Sequence, residues 1–473
     1  VIALSFTEIA EAVGGRLLLG DGDAAPSDVV SGAVETDSRE IGPGGVFVAR
    51  HGETTDGHLF APSAIERGAA LLIVERPLEL SVTQIVVDDA TVALGLLAAE
   101  VVRRVRAAGV LRIVAVTGSN GKTTTKNLLR EILSRRAETI APRESFNNEV
   151  GAPLTMLKLT WETEFLVAEM GASGIGEIRR LVGMARPDVG IVLTVGLAHA
   201  GEFGGIESTL IAKTEMVADL LPDDTAVLNA DDFRVAGMAE STAAKVLWFG
   251  RGPQADVRAS DVSVDSTGTR FTLHAPGETP RDVHFSVLGE HHVTNALAAA
   301  AASLTLGVPL DTIVEALESV TRAERWRMEV LPGLDTVVIN DAYNASPDSM
   351  AAALKTLAVL APEAKRTVAV LGEMSELGDL SAEEHDSIGR LVVRLNIGQL
   401  IVVGEGAKRI HMAAELEGSW DGESEWYATA DEAYDRLESS LRSGDLVLVK
   451  SSNSAGLRFL GDRLGELVAC KHF

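Results

Sequence analysis

The sequence is short of cysteine, of aromatic residues and of positive charge, and each shortage closes off a class of function. A single cysteine, Cys470, stands in 473 residues, so an internal disulfide and any multi-cysteine zinc site are excluded. Aromatic residues make up 4% of the chain, which leaves its cores to be built on Ala, Val and Leu. Against 68 Asp and Glu stand 42 Lys and Arg, a formal charge of −26 that repels nucleic-acid backbones. An anionic substrate therefore needs local compensation from lysines, helix N-termini or metal ions. No charged leader precedes an apolar core at the N-terminus, and no apolar run reaches membrane-spanning length. The expectation is a soluble, cytoplasmic protein.

What the sequence has in quantity is apolar residues, 46% of the chain. Its length is that of roughly three domains of ordinary size. The stretch that organises it runs from Val114 to Lys126. The apolar run Ile113–Val116 breaks at Thr117-Gly118, Ser119-Asn120 follow, and Gly121-Lys122-Thr123-Thr124 opens a segment with Leu128, Leu129 and Ile132 at helical spacing. Strand, glycine-bearing loop and helix form the setting in which Gly-Lys-Thr binds nucleotide phosphate. Gly118 and Gly121 let the backbone turn tightly and bring N–H groups to an anion, and the helix points its positive end at the same place. Lys122 supplies a point charge, and the Thr123 hydroxyl suits a magnesium ion. The eight-residue form of the motif fails, because Val116 stands where its first glycine belongs. The plain alternative is a strand–turn–helix corner that happens to carry a lysine.

The rest of the chain reads as α/β in three domains. Residues 1–88 suit a small α/β N-terminal domain, opened by a capping box of Ser5 with Glu8 and closed by strands near Leu71–Val74 and Ile85–Val87. Its loop Thr36-Asp37-Ser38-Arg39 either touches a ligand or is only a turn. Residues 89–321 form a central P-loop mononucleotide-binding domain with a mainly parallel sheet, to which Asp261–His274 and Arg281–Val287 attach as an antiparallel hairpin. An alanine-rich helix is expected over Asn295–Leu306. Residues 322–473 restart the βα rhythm as a Rossmann-like domain of doubly wound type, with Asp421–Glu425 as a polar surface loop.

A phosphate loop does not name a reaction, so the groups that could reach it matter. In open α/β sheets these lie at the carboxyl ends of strands. Glu169 ends the strand Phe165–Ala168 and could hold magnesium, or be a solvated terminus. His199 follows the strand Ile191–Val195, where a loop histidine bonded to backbone is an equal reading. Lys213 sits inside a helix over Ile206–Leu221, where most lysines are solvated. Asn147 and Asn148 suit a sugar or peptide ligand, but amides also cap helices. Asp341-Ala-Tyr-Asn-Ala-Ser-Pro347 follows a strand, a favourable place for a ligand and also a good helix start.

With these pieces in order, the chain resembles the Mur ligases, ATP-dependent amide-bond ligases of bacterial cell-wall synthesis, over essentially its whole length. Thr117–Thr124 is similar to that family's phosphate loop. Thr36–Arg39 with Pro43–Ala49 resembles its uridine-nucleotide domain, and Asp341–Met350 resembles the member that adds a dipeptide. The Asp-Tyr-Ala-His and Asp-Asn-Pro-Arg motifs of the third-residue-adding member are missing. The resemblance implies a cytoplasmic bacterial enzyme, a monomer, taking ATP, two magnesium ions, UDP-N-acetylmuramoyl-tripeptide and D-alanyl-D-alanine. It implies Thr123, Glu169 and His199 as magnesium ligands and Lys213 as a lysine modified to a carbamate. It further implies Asn295 on the adenine side, Arg327 and Asp341 as nucleotide contacts, and Asn147 and Asn148 as holders of the muramoyl-peptide. Tyr343, Asn344 and Lys450 join Thr36–Arg39 on the substrate side. Two segments depart: Lys450-Ser-Ser-Asn453 replaces Lys-Gly-Ser-Arg, and the loop around His199 differs in its middle. The rival readings are the third-residue-adding ligase, a folylpolyglutamate synthase, and a regulatory P-loop protein.

Overall fold

In the computed structural model, which describes all residues except 53–54, 143–144, 199, 321–323 and 418–422, the strands fall into three main sheets taken up in chain order. The first has five strands, arranged as Arg16–Leu18, Thr83–Val86, Ala69–Val74, Gly45–Val48 and Val34–Glu35. All its pairings are parallel except that of Arg16–Leu18. The helix Phe6–Val13 covers it and opens with the expected reciprocal cap. The Ser5 amide donates to Glu8 Oε2 at 2.7 Å, and the Glu8 amide donates to Ser5 Oγ at 3.2 Å.

The long helix Ala90–Ala107 starts at Asp89, whose carboxylate accepts from the Thr91 and Val92 amides. Its buried stripe of Leu94, Leu97, Val101 and Val105 packs against helices on both sides, Phe6–Val13 before it and Gly151–Met156 and Glu177–Ala185 beyond. It is the joint between the first sheet and the second.

The second sheet has nine strands. Arg112–Thr117 is third from one edge, between Phe165–Glu169 and Val189–Val192, all parallel. The phosphate loop, Glu169 and the segment after Val192 therefore leave the sheet at the same edge, the carboxyl ends of adjacent strands. Thr225–Asn229 and Lys245–Gly250 continue the parallel run. The expected hairpin is instead a three-stranded meander of Val257–Asp265, Gly268–His274 and Arg281–Phe285. The run Asp261–His274 hides a turn: Asp265 Oδ1 accepts from the Thr267 amide, and Gly268 takes φ +140° where the chain reverses. The alanine-rich helix spans Glu290–Thr305, five residues earlier at its start than its apolar pattern suggests, because Gly289 opens it. Ala298 to Ala302 are fully buried, and their small side chains let the helix lie close to the sheet and to the phosphate-loop helix Lys122–Ser134.

The third sheet is parallel in the order Val337–Asn340, Asp445–Lys450, Arg366–Leu371, Gln399–Val403, Ser424–Tyr427, with Glu329–Pro332 antiparallel on one edge. The segment read as a surface loop at Asp421–Glu425 enters the edge strand Ser424–Tyr427 as far as it is described. Glu425 looked like a loop residue because its partner is remote in sequence: Arg436 grips it with two bonds of 2.7 Å. Among the described residues no helix is long and apolar enough to cross a membrane. Cys470, exposed, ends the last helix, Leu457–Cys470.

Candidate active site

The strand Arg112–Thr117 delivers the phosphate loop to a cleft of about 410 Å³. Gly121 takes φ +84°, and a Cβ there would overlap the Asn295 side-chain amide. We expect Gly121→Ala to strain the backbone by about 1–3 kcal/mol and to push Asn295 away. The measured outcome should be an ATP KM raised about tenfold or more, with an unchanged KM for the other substrates.

Lys122 donates from Nζ to the Gly118 carbonyl at 2.7 Å, closing the loop on itself. Enclosure pushes its ammonium below the ordinary value, while the Glu169 carboxylate favours the charged form. Thr123 is buried and its Oγ1 donates to Glu169 Oε1 at 3.3 Å. Asn147 Nδ2 reaches the same oxygen at 2.8 Å. Glu169 is only 1% exposed, and its Oε2 has no hydrogen-bond partner among the described residues. An orphaned carboxylate oxygen beside a hydroxyl is the donor set a hard divalent cation takes.

The opposite wall comes from the C-terminal sheet. Lys450 Nζ pairs with Asp341 Oδ2 at 2.6 Å, both nearly buried, and also donates to the Asn344 carbonyl at 3.1 Å. Tyr343 donates to Ser145 Oγ at 3.2 Å, and the Arg327 guanidinium stacks on its ring. Arg327 also donates to Thr123 Oγ1 at 3.2 Å, and Ser346 Oγ donates to Asn120 Oδ1 at 3.1 Å. Asn127 bonds Glu324 nearby. Farther round, the Gly201 amide donates to the Glu376 carbonyl at 2.8 Å, and Asp348 fills the space a Cβ on Gly196 would need. The C-terminal part of the chain thus touches the phosphate loop itself.

Other expected site residues stand elsewhere. Thr117 is fully buried and Gly118 accepts from Lys122 Nζ, and neither is among the residues that line the cleft. Asn148 does not line the cleft; its Oδ1 accepts from the Val150 and Gly151 amides and starts the helix Gly151–Met156. Thr36, Asp37, Ser38 and Arg39 follow the first sheet's edge strand and also lie outside the cleft. Arg39 is tied to Asp37 at 2.6 Å, which holds that carboxyl down to about 2. Lys158 faces the neighbouring Glu35 there. His199 lies outside the described residues.

Lys213 is 2% exposed in the helix Ile206–Ala218, so the solvated-lysine reading is overturned. Burial, then the nearby Lys122 charge, pushes its ammonium down to about 7, with Glu177 and Glu215 opposing. Its Nζ lies 5.3 Å from the centre of the Phe203 ring. Lys126, which the sequence did not mark, is fully buried and donates to the Pro142 carbonyl at 2.9 Å. Ser145, Ser346 and Glu324 were also missed. The first two stand inside polar clusters already singled out, whereas nothing local distinguishes Glu324.

A phosphate loop at the carboxyl ends of a parallel sheet, set between a small α/β domain and a doubly wound one, marks a nucleotide-binding protein. Family models agree in three successive blocks: Mur ligase family catalytic domain at residues 31–115, Mur ligase middle domain at 116–303, and Mur ligase glutamate ligase domain at 326–453. The chain belongs to the Mur ligase family, and it uses ATP. Relatives 40–43% identical over 98% of the chain share one activity. It is 43% identical to the UDP-N-acetylmuramoyl-tripeptide–D-alanyl-D-alanine ligase of Mycobacterium bovis, over 98% of either chain. Among solved structures it resembles MurF from Acinetobacter baumannii, with a TM-score of 0.89, 32% identity and coverage of 98% of this chain and 99% of that one. The MurF ligase of Thermotoga maritima, solved in complex with ADP, gives a TM-score of 0.81 at 27% identity, covering 92% and 97%.

Proposed function

We propose that this chain joins D-alanyl-D-alanine to UDP-N-acetylmuramoyl-tripeptide at the expense of ATP, as a cytoplasmic step of bacterial cell-wall synthesis. One observation carries the reading. The phosphate loop, Glu169 and the Asp341–Lys450 pair meet in one cleft, in a chain matched from end to end by ligases of that activity. Residues 1–88 hold the uridine nucleotide through Thr36–Arg39, residues 89–321 hold ATP, and residues 322–473 close over both. The hinges lie near Asp88 and near Thr321, the latter outside the described residues.

The chemistry follows from a poor electrophile. An amine does not attack a carboxylate usefully, so the peptide carboxylate first attacks the γ-phosphorus. The bond from that phosphorus to the ADP oxygen breaks, leaving an acyl phosphate. The dipeptide amine then attacks the acyl carbon, the C–O bond to phosphate breaks, and the amide forms with loss of the amine proton. Transfer of this kind asks the protein mainly for positioning and charge stabilisation. Lys122 and the amides at the start of its helix hold the transferring phosphoryl group. Arg327 and Asn295 orient the nucleotide, while Asn147, Tyr343, Asn344 and Lys450 orient the peptides. Thr123, Glu169, His199 and the carbamate of Lys213 would hold magnesium, which when bound neutralises charge on the phosphate oxygens. The −26 charge of the chain is thereby overcome locally.

The test is ADP release and product mass with UDP-N-acetylmuramoyl-tripeptide and each of several amines. Turnover should require the dipeptide and yield the pentapeptide. Turnover with a single amino acid and none with D-alanyl-D-alanine would sink the assignment. ATP hydrolysis without any amide product would favour a regulatory P-loop protein.

A further inference from the structure

Arg327 reaches the phosphate loop from a stretch of backbone that is strained on either side of it. Trp326 takes φ +64° and Met328 φ +53°, both in the left-handed region. Bulky side chains avoid that region, and a strained residue persists only where its surroundings over-determine it. The Arg327 guanidinium is steered by the Tyr343 ring at 4.0 Å and by Glu324 at 3.2 Å. Neither contact fixes the backbone beneath it.

The anchor stands outside the cleft, on the last helix. The Asp462 carboxylate, partly buried, accepts from the Trp326 indole nitrogen at 3.0 Å and 3.1 Å. Its Oδ2 also accepts from the Arg325 guanidinium at 2.9 Å, and its Oδ1 from the Asn340 side-chain amide at 3.1 Å. Asn340 is fully buried and ends the strand Val337–Asn340. One charged acceptor therefore ties the residues before Arg327 to the third sheet, and bonds to an ionised group are the strong ones. Phe459, one helical turn before Asp462, meets the indole edge-on with centroids 6.1 Å apart. On the cleft side, the Tyr343 amide donates to the Trp326 carbonyl at 3.0 Å, and the Met328 amide donates to Asp341 Oδ1 at 3.0 Å. The left-handed turn is thus pinned before and after Arg327.

We propose that Asp462 is a positioning residue for ligation: by holding Trp326 against the third sheet it aims Arg327 at the nucleotide. It lines no part of the cleft and acts through Arg327 alone. Its role rests on the reading of Arg327 as a nucleotide contact. Arg325 to Met328 follow closely on the hinge placed near Thr321, so without an anchor Arg327 would not travel with the domain that carries it. A misplacement of about 1 Å in a positioning group can cost about a hundredfold.

The experiment is steady-state ligation by the full chain, with Asp462→Ala made in the wild type and again in Arg327→Ala. In the wild type it should raise the KM for ATP about tenfold or more and leave that for UDP-N-acetylmuramoyl-tripeptide unchanged. In Arg327→Ala the same change should move the ATP KM by less than about twofold, because the group it positions is gone. Asp462→Asn keeps an oxygen that accepts from the indole, and should recover part of the loss. Trp326→Phe removes the indole donor and keeps an aromatic ring. It should reproduce both results, so the test stands even where Asp462→Ala fails to fold. Equal losses in the two backgrounds would mean a general structural role and overturn the proposal. So would an unchanged ATP KM, or a rise in both KM values. If Arg327→Ala alone keeps the wild-type KM for ATP, the nucleotide contact falls and the proposal with it, while amide formation by that enzyme leaves the ligase reading standing.

Discussion

Lys213→Ala is expected to lose ligation by about a hundred- to a thousandfold, the scale of removing one metal-anchoring charge from a phosphoryl-transfer site. Added formate or acetate should recover part of the rate by supplying a carboxylate in the space the side chain leaves. The reason is the state of the lysine. Burial holds its ammonium down to about 7, so at neutral pH much of it is free amine. A free amine can attack carbon dioxide: the N–C bond forms, one C=O pair moves onto oxygen, and a proton leaves to solvent. A buried cation becomes an anion beside the phosphate site.

The sign of the pH effect follows. Below about 7 the lysine is protonated in folded and unfolded chains alike, and the desolvation cost is fully present. Between about 7 and the ordinary lysine value of 10.5, only the unfolded chain keeps the proton, so stability rises with pH across that window. Ligation should accordingly fall as pH drops below 7 and respond to added bicarbonate there. Lys213→Met should melt higher than the wild type at pH 6 and lose that advantage toward pH 9. A Lys213→Ala enzyme with wild-type turnover would remove the carbamate from the mechanism.

Lys122→Gln is expected to cost about a thousandfold in kcat/KM for ATP. Its Nζ is held at 2.7 Å from the Gly118 carbonyl, inside the ring where the outer phosphates must lie, so no other cation of the chain takes its place. Lys122→Arg should fail almost as badly, because a planar fork does not fit a site built for a compact ammonium. Melting temperatures should hold or rise, since the change removes an enclosed cation. Retention of activity within tenfold of wild type would show that the charge is supplied elsewhere, with Arg327 the first candidate.

These residues differ in how far the sequence alone announced them. The phosphate loop was legible because everything it needs is local: an apolar strand, glycines at the turn, and a helix that begins on the lysine. The three-domain α/β plan was legible for the same reason, since strand and helix patterns repeat within short windows. Lys213 was not. Its sequence surroundings are those of a solvated helix lysine, and only resemblance raised it until its burial was seen. Residues whose role depends on two distant segments meeting left no trace, as with Glu324 against Asn127, or Asp348 against Gly196. The strand Ser424–Tyr427 was missed because its charge is satisfied by Arg436 on a later helix.

The lone cysteine, first met as an exclusion, has a further consequence. Cys470 is exposed at the end of the helix Leu457–Cys470, on the part of the chain that folds down onto the phosphate loop. No second thiol competes with it. A maleimide dye therefore attaches at one defined place without prior mutagenesis. A single added cysteine near the first sheet would then make a two-colour ruler of the unaltered fold, able to follow the C-terminal part through each turnover, one molecule at a time.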